Sequence, residues 1–238
     1  MLFNSFAFLL FLPLVLLLYT RLARRGSLQA TLSALALCSL LFYGVWNPVY
    51  LLLLLGSVGV NYLLARRIWR DVASVGRGAR RWLLLGVAVN LGLLGYFKYT
   101  GLLLDTVNLA LDLSLPSPDI VLPLAISFFT FQQIALLADA RQGKVAPVGI
   151  TEYLLFVTFF PQLIAGPIVH HAEMMPQFRQ AADPRDRLLD YQLGLSLFAM
   201  GLAKKVLLAD NLAPIADLAF AAADAGNTLP WALAAMGV

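Results

Sequence analysis

The sequence predicts an all-α protein, a polytopic transmembrane helical bundle, and three observations support this fold class. Of its 238 residues, 61% are hydrophobic and 13% are charged, with a mean hydropathy of +0.81, whereas soluble domains are about 45–50% apolar and about 25% charged. The apolar residues form runs of about 20, the length that a helix needs to cross a bilayer. Nine of the 17 basic residues fall in loops 21–27 and 65–81, a clustering typical of membrane topology. We treat residues 1–238 as a single transmembrane domain.

The predicted helices follow from apolar runs and from the residues that interrupt them. Arginines close the first and third runs, and Asn47-Pro48 makes a tight turn after the second, because proline cannot continue a helix. An acidic, proline-containing loop, 100–119, follows the fourth run. The first run lacks a basic start and a cleavage site, so we interpret it as a retained span. The predicted spans are 2–19, 28–46, 49–65, 82–99, 120–138, 151–169 and 188–208.

The distribution of charge predicts the orientation and excludes other partners. The positive-inside rule puts loops 21–27, 65–81 and 139–149 in the cytoplasm and the 100–119 loop outside. The net charge of +4 does not indicate nucleic acid, because no basic face is interleaved with aromatic residues. The partner it indicates is the lipid bilayer. The single Cys38 excludes an intramolecular disulfide and a cysteine zinc cluster, and we predict neither a bound metal nor a bound cofactor.

The sixth span is predicted to be broken or re-entrant near 159–169. Pro161-Gln162 and then Gly166-Pro167 interrupt the apolar run. A backbone break in hydrocarbon leaves N–H and C=O groups that each cost several kcal/mol, so it persists only against protein or a water-filled cavity. We therefore predict that Pro161, Gln162, Gly166 and Pro167 line a polar pocket or a substrate path.

Two pairs of polar residues are further candidates for that path. His170 and His171 follow the break, and imidazole suits proton transfer near neutral pH; the alternative is an interfacial pair at the end of a span. Gln132 and Gln133 lie in the middle of the fifth span. They either line a substrate path or form hydrogen bonds between helices.

Five strings of residues, in order, resemble the membrane-bound O-acyltransferase (MBOAT) family, and in particular its bacterial alginate O-acetylase branch. The most specific are LPLAISFFTFQQIALLADARQGK at 122–144 and YLLFVTFFPQLIAGPIVHHAEMMPQF at 153–178. The others are FYGVWNPVYLLLLLGSVGVNYLLARRI at 42–68, GYFKYTGLL at 95–103 and GLAKKVLLADNLAPIAD at 201–217. Together they cover nearly the whole chain.

The resemblance implies a multi-helix membrane disc with a thinned centre, in a bacterial inner membrane. It implies transfer of an acyl group, favouring acetyl, from a cytoplasmic thioester (acetyl-CoA or an acyl-carrier protein) to a hydroxyl of an exported polysaccharide or cell-wall polymer. A histidine would act as the general base. Extracytoplasmic acyltransferase proteins would be partners that complete the delivery.

One departure from the family pattern limits what is carried over. The hallmark histidine of the family lies in a Trp-His-Gly-like stretch of the C-terminal half, and no such string occurs here. We therefore assign no catalytic residue, and expect an N-terminal portion of a longer acyltransferase that is inactive alone. The alternatives are a non-catalytic membrane scaffold for partner subunits and a small-molecule transporter with the break as its substrate site.

Overall fold

Helices account for the regular structure of the residues that the computed structural model describes. The structure describes residues 5–25, 27–74, 78–114, 116, 118, 120–166, 169, 171–180 and 187–224. The helices are α1 Phe6–Arg24, α2 Leu28–Trp46, α3 Pro48–Ala73, α4 Ala79–Leu111, α5 Ile126–Arg141, α6 Ile150–Thr158, α7 Phe160–Ala165, α8 His171–Gln180, α9 Arg187–Ala203 and α10 Asp210–Asp224, with a π-helical turn Lys204–Ala209 between the last two. Among the described residues, five helices are long and apolar enough to cross a membrane. The all-α, multi-pass prediction is confirmed.

The turn between α2 and α3 forms as predicted. The Asn47 side chain accepts hydrogen bonds from the backbone N–H groups of Val49 (2.9 Å) and Tyr50 (3.3 Å). Pro48 occupies the first turn of α3, where its missing N–H costs nothing. The two helices are therefore separated by a single capping residue.

The fourth helix is longer than predicted. α4 runs to Leu111, so residues 100–111, which were expected to be loop, are helical. The acidic residues misled the prediction: Asp105 is the one charged residue of a stretch without proline, and one exposed carboxylate does not stop a helix. The helix ends at Asp112, which adopts the left-handed conformation with φ 51°.

The fifth helix begins six residues later than predicted, at Ile126 rather than at residue 120. Two tyrosine hydroxyls hold the preceding segment: Tyr43 donates to the carbonyl of Leu124 (3.0 Å) and Tyr50 to the carbonyl of Val121 (2.6 Å). Ala125 has φ 60°. Partners from α2 and α3 therefore replace the intrahelical hydrogen bonds that a helix over 120–125 would have made.

The chain falls into two compact units, the larger of which comprises residues 12–183. In this unit α5 packs against α3, α4 and α6, and α2 packs against α3 and α6. Nine of the 16 residues of α5 are buried, so α5 is the central helix. Exposed leucines on α2, α3 and α4 give this unit an apolar outer surface, as a membrane helix bundle needs.

A buried polar cluster joins α3, α4 and α5. The side chains of Asn61 and Asn90 form reciprocal hydrogen bonds of 2.6 and 3.3 Å, and each amide also donates to a carbonyl of its own helix. Gln133 of α5 donates to the hydroxyl of Ser57 (3.0 Å). Gly86 lets α4 pack close to α5, because a Cβ at residue 86 would lie 2.4 Å from the side chain of Leu137. The cluster fixes the register of three helices.

The smaller unit comprises residues 2–11 and 184–238. Phe8 packs against Phe198 of α9, with ring centroids 6.2 Å apart. At the π-helical turn Lys205 and Asp210 form an ion pair, and the side chain of Asn211 donates to the carbonyls of Val206 and Leu207. These carbonyls lie where the backbone hydrogen bonds change from the α-helical to the π-helical pattern. Such π-turns are frequent at functional sites.

Candidate functional site

The predicted break in the sixth span is present, and it lies at Phe159. α6 ends at Thr158 and α7 begins at Phe160, while Phe159 has φ −53° and ψ 106°. Pro161 was expected to interrupt the helix, but it occupies the first turn of α7. Proline favours a helix start because its fixed φ suits that position and its missing N–H has no partner there. Pro161 therefore starts a helix rather than breaking one.

The break is stabilised by two side chains from neighbouring helices. In a continuous helix the N–H of Phe160 would donate to the carbonyl of Phe156. Here the hydroxyl of Ser39, in α2, accepts from the Phe160 N–H (3.3 Å), and the Phe156 carbonyl accepts from Nε2 of Gln132, in α5 (2.9 Å). Both groups of this one lost hydrogen bond thus have partners from neighbouring helices, as a non-helical backbone inside a membrane requires.

A second departure from helix occurs at Gly166, which has φ −82° and ψ 158°. Its N–H donates to the carbonyl of Gln162 (2.8 Å). Any residue can adopt this conformation, so the backbone freedom of glycine does not explain why residue 166 is glycine. A Cβ at residue 166 would lie 2.7 Å from Cγ and 2.8 Å from Cα and O of Gln162, so close approach requires it. Pro167 and His170 lie outside the described residues.

The break borders a pocket of about 580 Å³. Its walls come from α1, α2, the break and α8, and three predicted residues, Pro161, Gln162 and Gly166, are among them. The full lining is Leu12, Val15, Leu16, Tyr19, Leu35, Phe159, Phe160, Pro161, Gln162, Gly166, Val169, Met174, Gln177 and Phe178. The prediction of a polar pocket was wrong, because the lining is mostly apolar. Its amides belong to Gln162 and Gln177, so the pocket suits a ligand with an apolar body and a polar end.

Gln132 and Gln133 are both buried inside the helix bundle. They donate to the Phe156 carbonyl and to the Ser57 hydroxyl, and neither is among the lining residues of the pocket at the break. The structure therefore shows helix-joining hydrogen bonds for both amides. A place in the substrate path stays a prediction.

His171 begins α8 and is 6% exposed. Its ring packs edge-on against Phe156 with centroids 5.1 Å apart. It lines a second, smaller pocket together with Lys144, so the structure separates it from Gln162 and Gly166. Within the described part of the chain, no three His, Cys, Asp or Glu side chains are grouped to hold a metal ion.

Ser39 is a site residue that the sequence did not single out. It lies in the middle of α2, where it is buried and donates to the Leu35 carbonyl (2.8 Å). That local hydrogen bond is common for serine in membrane helices and gives no hint of the contact to Phe160, 121 residues away. The only indication of Ser39 in the sequence was a hydroxyl side chain within an apolar run.

Comparison with known proteins decides the family. A sequence profile of the MBOAT, or membrane-bound O-acyltransferase, family matches residues 60–236. The chain belongs to this family. The matched residues contain α4 to α10. They therefore include the break and the residues of α7 and α8 that line the pocket.

Several relatives of this MBOAT chain carry functional names. It is 44% identical over 214 residues to a peptidoglycan O-acetyltransferase of Helicobacter pylori, covering 78% of this chain and 40% of that protein. It is 37% identical over 227 residues to a probable alginate O-acetylase, AlgI, of Pseudomonas aeruginosa, covering 93% of this chain and 42% of that protein. The chain thus spans less than half the length of these relatives. No solved structure was found to match it.

Proposed function

We propose that this MBOAT chain is part of a bacterial inner-membrane O-acyltransferase that transfers acetyl groups to hydroxyls of an exported polysaccharide or cell-wall polymer. The observation that carries the proposal is the similarity to proteins named peptidoglycan O-acetyltransferase and alginate O-acetylase over 78% and 93% of the chain. Both named acceptors are polymers of the cell exterior, which supports an acceptor outside and favours extracytoplasmic partner proteins that complete the delivery.

The proposed reaction is an ester exchange that needs no bound cofactor. A hydroxyl oxygen attacks the carbonyl of an acyl thioester, acetyl-CoA or an acyl-carrier protein; the C–O bond forms, the C–S bond breaks, and the hydroxyl proton ends on the released thiol. A histidine general base assists. The family's Trp-His-Gly-like string does not occur in these 238 residues, so we propose that they do not transfer acyl groups alone.

The pocket at the break supports a role in the substrate path. Its apolar walls suit the carbon chain of a thioester arm, and the amides of Gln162 and Gln177 suit its polar groups. We propose that Pro161, Gln162, Gly166 and Pro167 belong to this path, and keep His170, His171, Gln132 and Gln133 as further candidates for it. Gln162→Leu is the most direct substitution, since it removes the amide and keeps the volume.

The test is complementation by the full-length protein in a bacterium that lacks its own polymer O-acetylase. Ester-linked acetate released from the polymer by mild base is measured and normalised to the membrane level of the protein. We expect acetylation with the wild type and a loss of at least about tenfold with Gln162→Leu, the effect of losing one polar contact of about 1.4 kcal/mol. A polymer without ester-linked acetate in the presence of well-expressed wild type would refute the proposal.

A further inference from the structure

A second pocket, of about 150 Å³, lies between the connection that follows α5 and the start of α8. Its lining shares no described residue with the pocket at the break. Two of the lining side chains carry N–H donors that an anion could accept from, the ammonium group of Lys144 and the imidazole of His171. The lining is Lys144, Val145, Ala146, Val148, His171, Ala172, Met175 and Pro176.

The end of α5 holds Lys144 in place. Gly143 adopts φ 71°, a conformation that glycine reaches without strain, and its N–H donates to the Ala140 carbonyl (3.2 Å). The N–H of Lys144 then donates to the Asp139 carbonyl (2.9 Å). These bonds end the helix and fix the backbone from which the lysine side chain extends.

The remainder of the connection rests on α3. The indole N–H of Trp69 donates to the carbonyl of Val145 (3.0 Å), and the hydroxyl of Tyr62 donates to the carbonyl of Val148 (3.4 Å). Trp69 and Tyr62 lie two turns apart on the same face of α3. The wall of the small pocket is therefore preorganised rather than formed by a free loop.

The charges around this pocket are mostly positive. The end of α3 that carries Trp69 also carries the exposed Arg66, Arg67 and Arg70, and Arg141 is the last residue of α5. The acids of these elements and of α8 are Asp71, Asp139 and Glu173, none of which is among the lining residues. Under the predicted topology this end of α3 faces the cytoplasm.

We propose that the pocket of Lys144 and His171 binds a phosphate group. A volume of 150 Å³ equals that of roughly five water molecules in the liquid, which accommodates a tetrahedral oxyanion. Lys144 supplies a formal charge and three donors, and His171 supplies an N–H. The phosphate belongs either to a soluble phosphate ester of the cytoplasm or to the headgroup of an anionic lipid, since both present the same oxyanion chemistry.

The test uses the full-length protein in nanodiscs and two probes, inorganic phosphate and phosphatidylglycerol. Binding of inorganic phosphate is measured by calorimetry in zwitterionic lipid, and retention of phosphatidylglycerol by native mass spectrometry. Lys144→Ala is expected to weaken binding roughly tenfold, as loss of a charge-assisted hydrogen bond implies, and Lys144→Arg to restore it. Lys144 is exposed, so its substitution leaves no buried cavity. His171→Gln is the second variant.

Arg141→Ala is the matched control, because Arg141 lies three residues away, is exposed and is not among the lining residues. Lys144-dependent binding of inorganic phosphate supports a soluble ligand. Lys144-dependent retention of phosphatidylglycerol without phosphate binding supports a lipid headgroup. Equal binding by the wild type and by both pocket variants, or an equal loss with Arg141→Ala, overturns the proposal. Neither binding measurement requires acyl transfer, so both test the phosphate site independently of the proposed function.

Discussion

At the scale of single residues, the break at Phe159 depends on two side chains that replace one lost helical hydrogen bond. The Phe160 N–H donates to the Ser39 hydroxyl, and the Phe156 carbonyl accepts from the Gln132 amide. Leaving a buried backbone group without a partner costs about 1–3 kcal/mol. We therefore expect Ser39→Ala and Gln132→Leu each to lower the stability of the protein in detergent by about that amount.

Thermal unfolding of each purified variant measures this effect, with hydrogen exchange of the Phe160 amide as a local probe. Ser196→Ala is the matched control: Ser196 donates to a carbonyl four residues earlier, as Ser39 does, but it is exposed. Slow exchange at Phe160 in Ser39→Ala, with an unchanged unfolding temperature, would show that the break does not need this partner.

Gly166 is the residue whose substitution separates folding from function most clearly. A Cβ at this position meets the backbone of Gln162 at 2.8 Å, and backbone yields less readily than a flexible side chain. Overpacking of this kind costs about 1–3 kcal/mol. Since Gly166 and Gln162 both line the pocket, we expect Gly166→Val to reduce acetyl transfer by the full-length protein more than it reduces the membrane level.

Gly149→Ala is the comparison for this glycine, because nothing lies within 4 Å of its Cβ position and its φ is −71°. It is expected to keep wild-type activity. Wild-type specific activity for Gly166→Val as well would mean that the segment can shift away from Gln162 without consequence for the reaction.

At the scale of elements, α3 and α4 are joined by the reciprocal amide pair Asn61–Asn90. Interhelical hydrogen bonds in membranes contribute about 0.6 kcal/mol on average and up to about 1.7 kcal/mol. Both asparagines are fully buried, so we expect a coupling energy near the upper value. A double-mutant cycle of Asn61→Ala, Asn90→Ala and both together, followed by unfolding in detergent, measures it. Strictly additive losses would mean that the two amides act separately.

The elements also show where sequence reasoning succeeds. The bounds of α2 were predicted to the residue from its apolar run and the Asn47-Pro48 turn, and the structure shows Ser27 and Asn47 capping its ends, which is local chemistry. The start of α5 was missed by six residues because the tyrosines that hold residues 121 and 124 come from α2 and α3. The break was expected from Pro161 and Gly166, but its stabilisation by Ser39 depends on a contact that no local pattern encodes.

At the scale of the whole molecule, the positive-inside rule predicts on which side of the membrane the ends of each helix up to α6 lie. Residue 74 should face the cytoplasm and residue 113 the opposite side, since α4 crosses the membrane between them. In a Cys38→Ala background, Ser74→Cys should react with an impermeant maleimide only after the cells are opened, and Leu113→Cys should react in intact cells. Both residues are exposed, so burial does not confuse the comparison. The reverse pattern would invert the topology and move the Lys144 pocket to the outside.

The central position of α5 has a consequence for how the protein is made. At 16 residues, α5 is about 24 Å long, shorter than the roughly 30 Å of hydrocarbon, and it carries Gln132, Gln133 and Asp139. A nascent segment of this kind inserts poorly into the bilayer when it leaves the translocon alone. α3 and α4 precede α5 during synthesis and provide Ser57 and the packing surface that accept it. We therefore expect the lipid-facing α3 and α4 to insert first, and the polar central helix to leave the translocon by packing against them rather than against lipid.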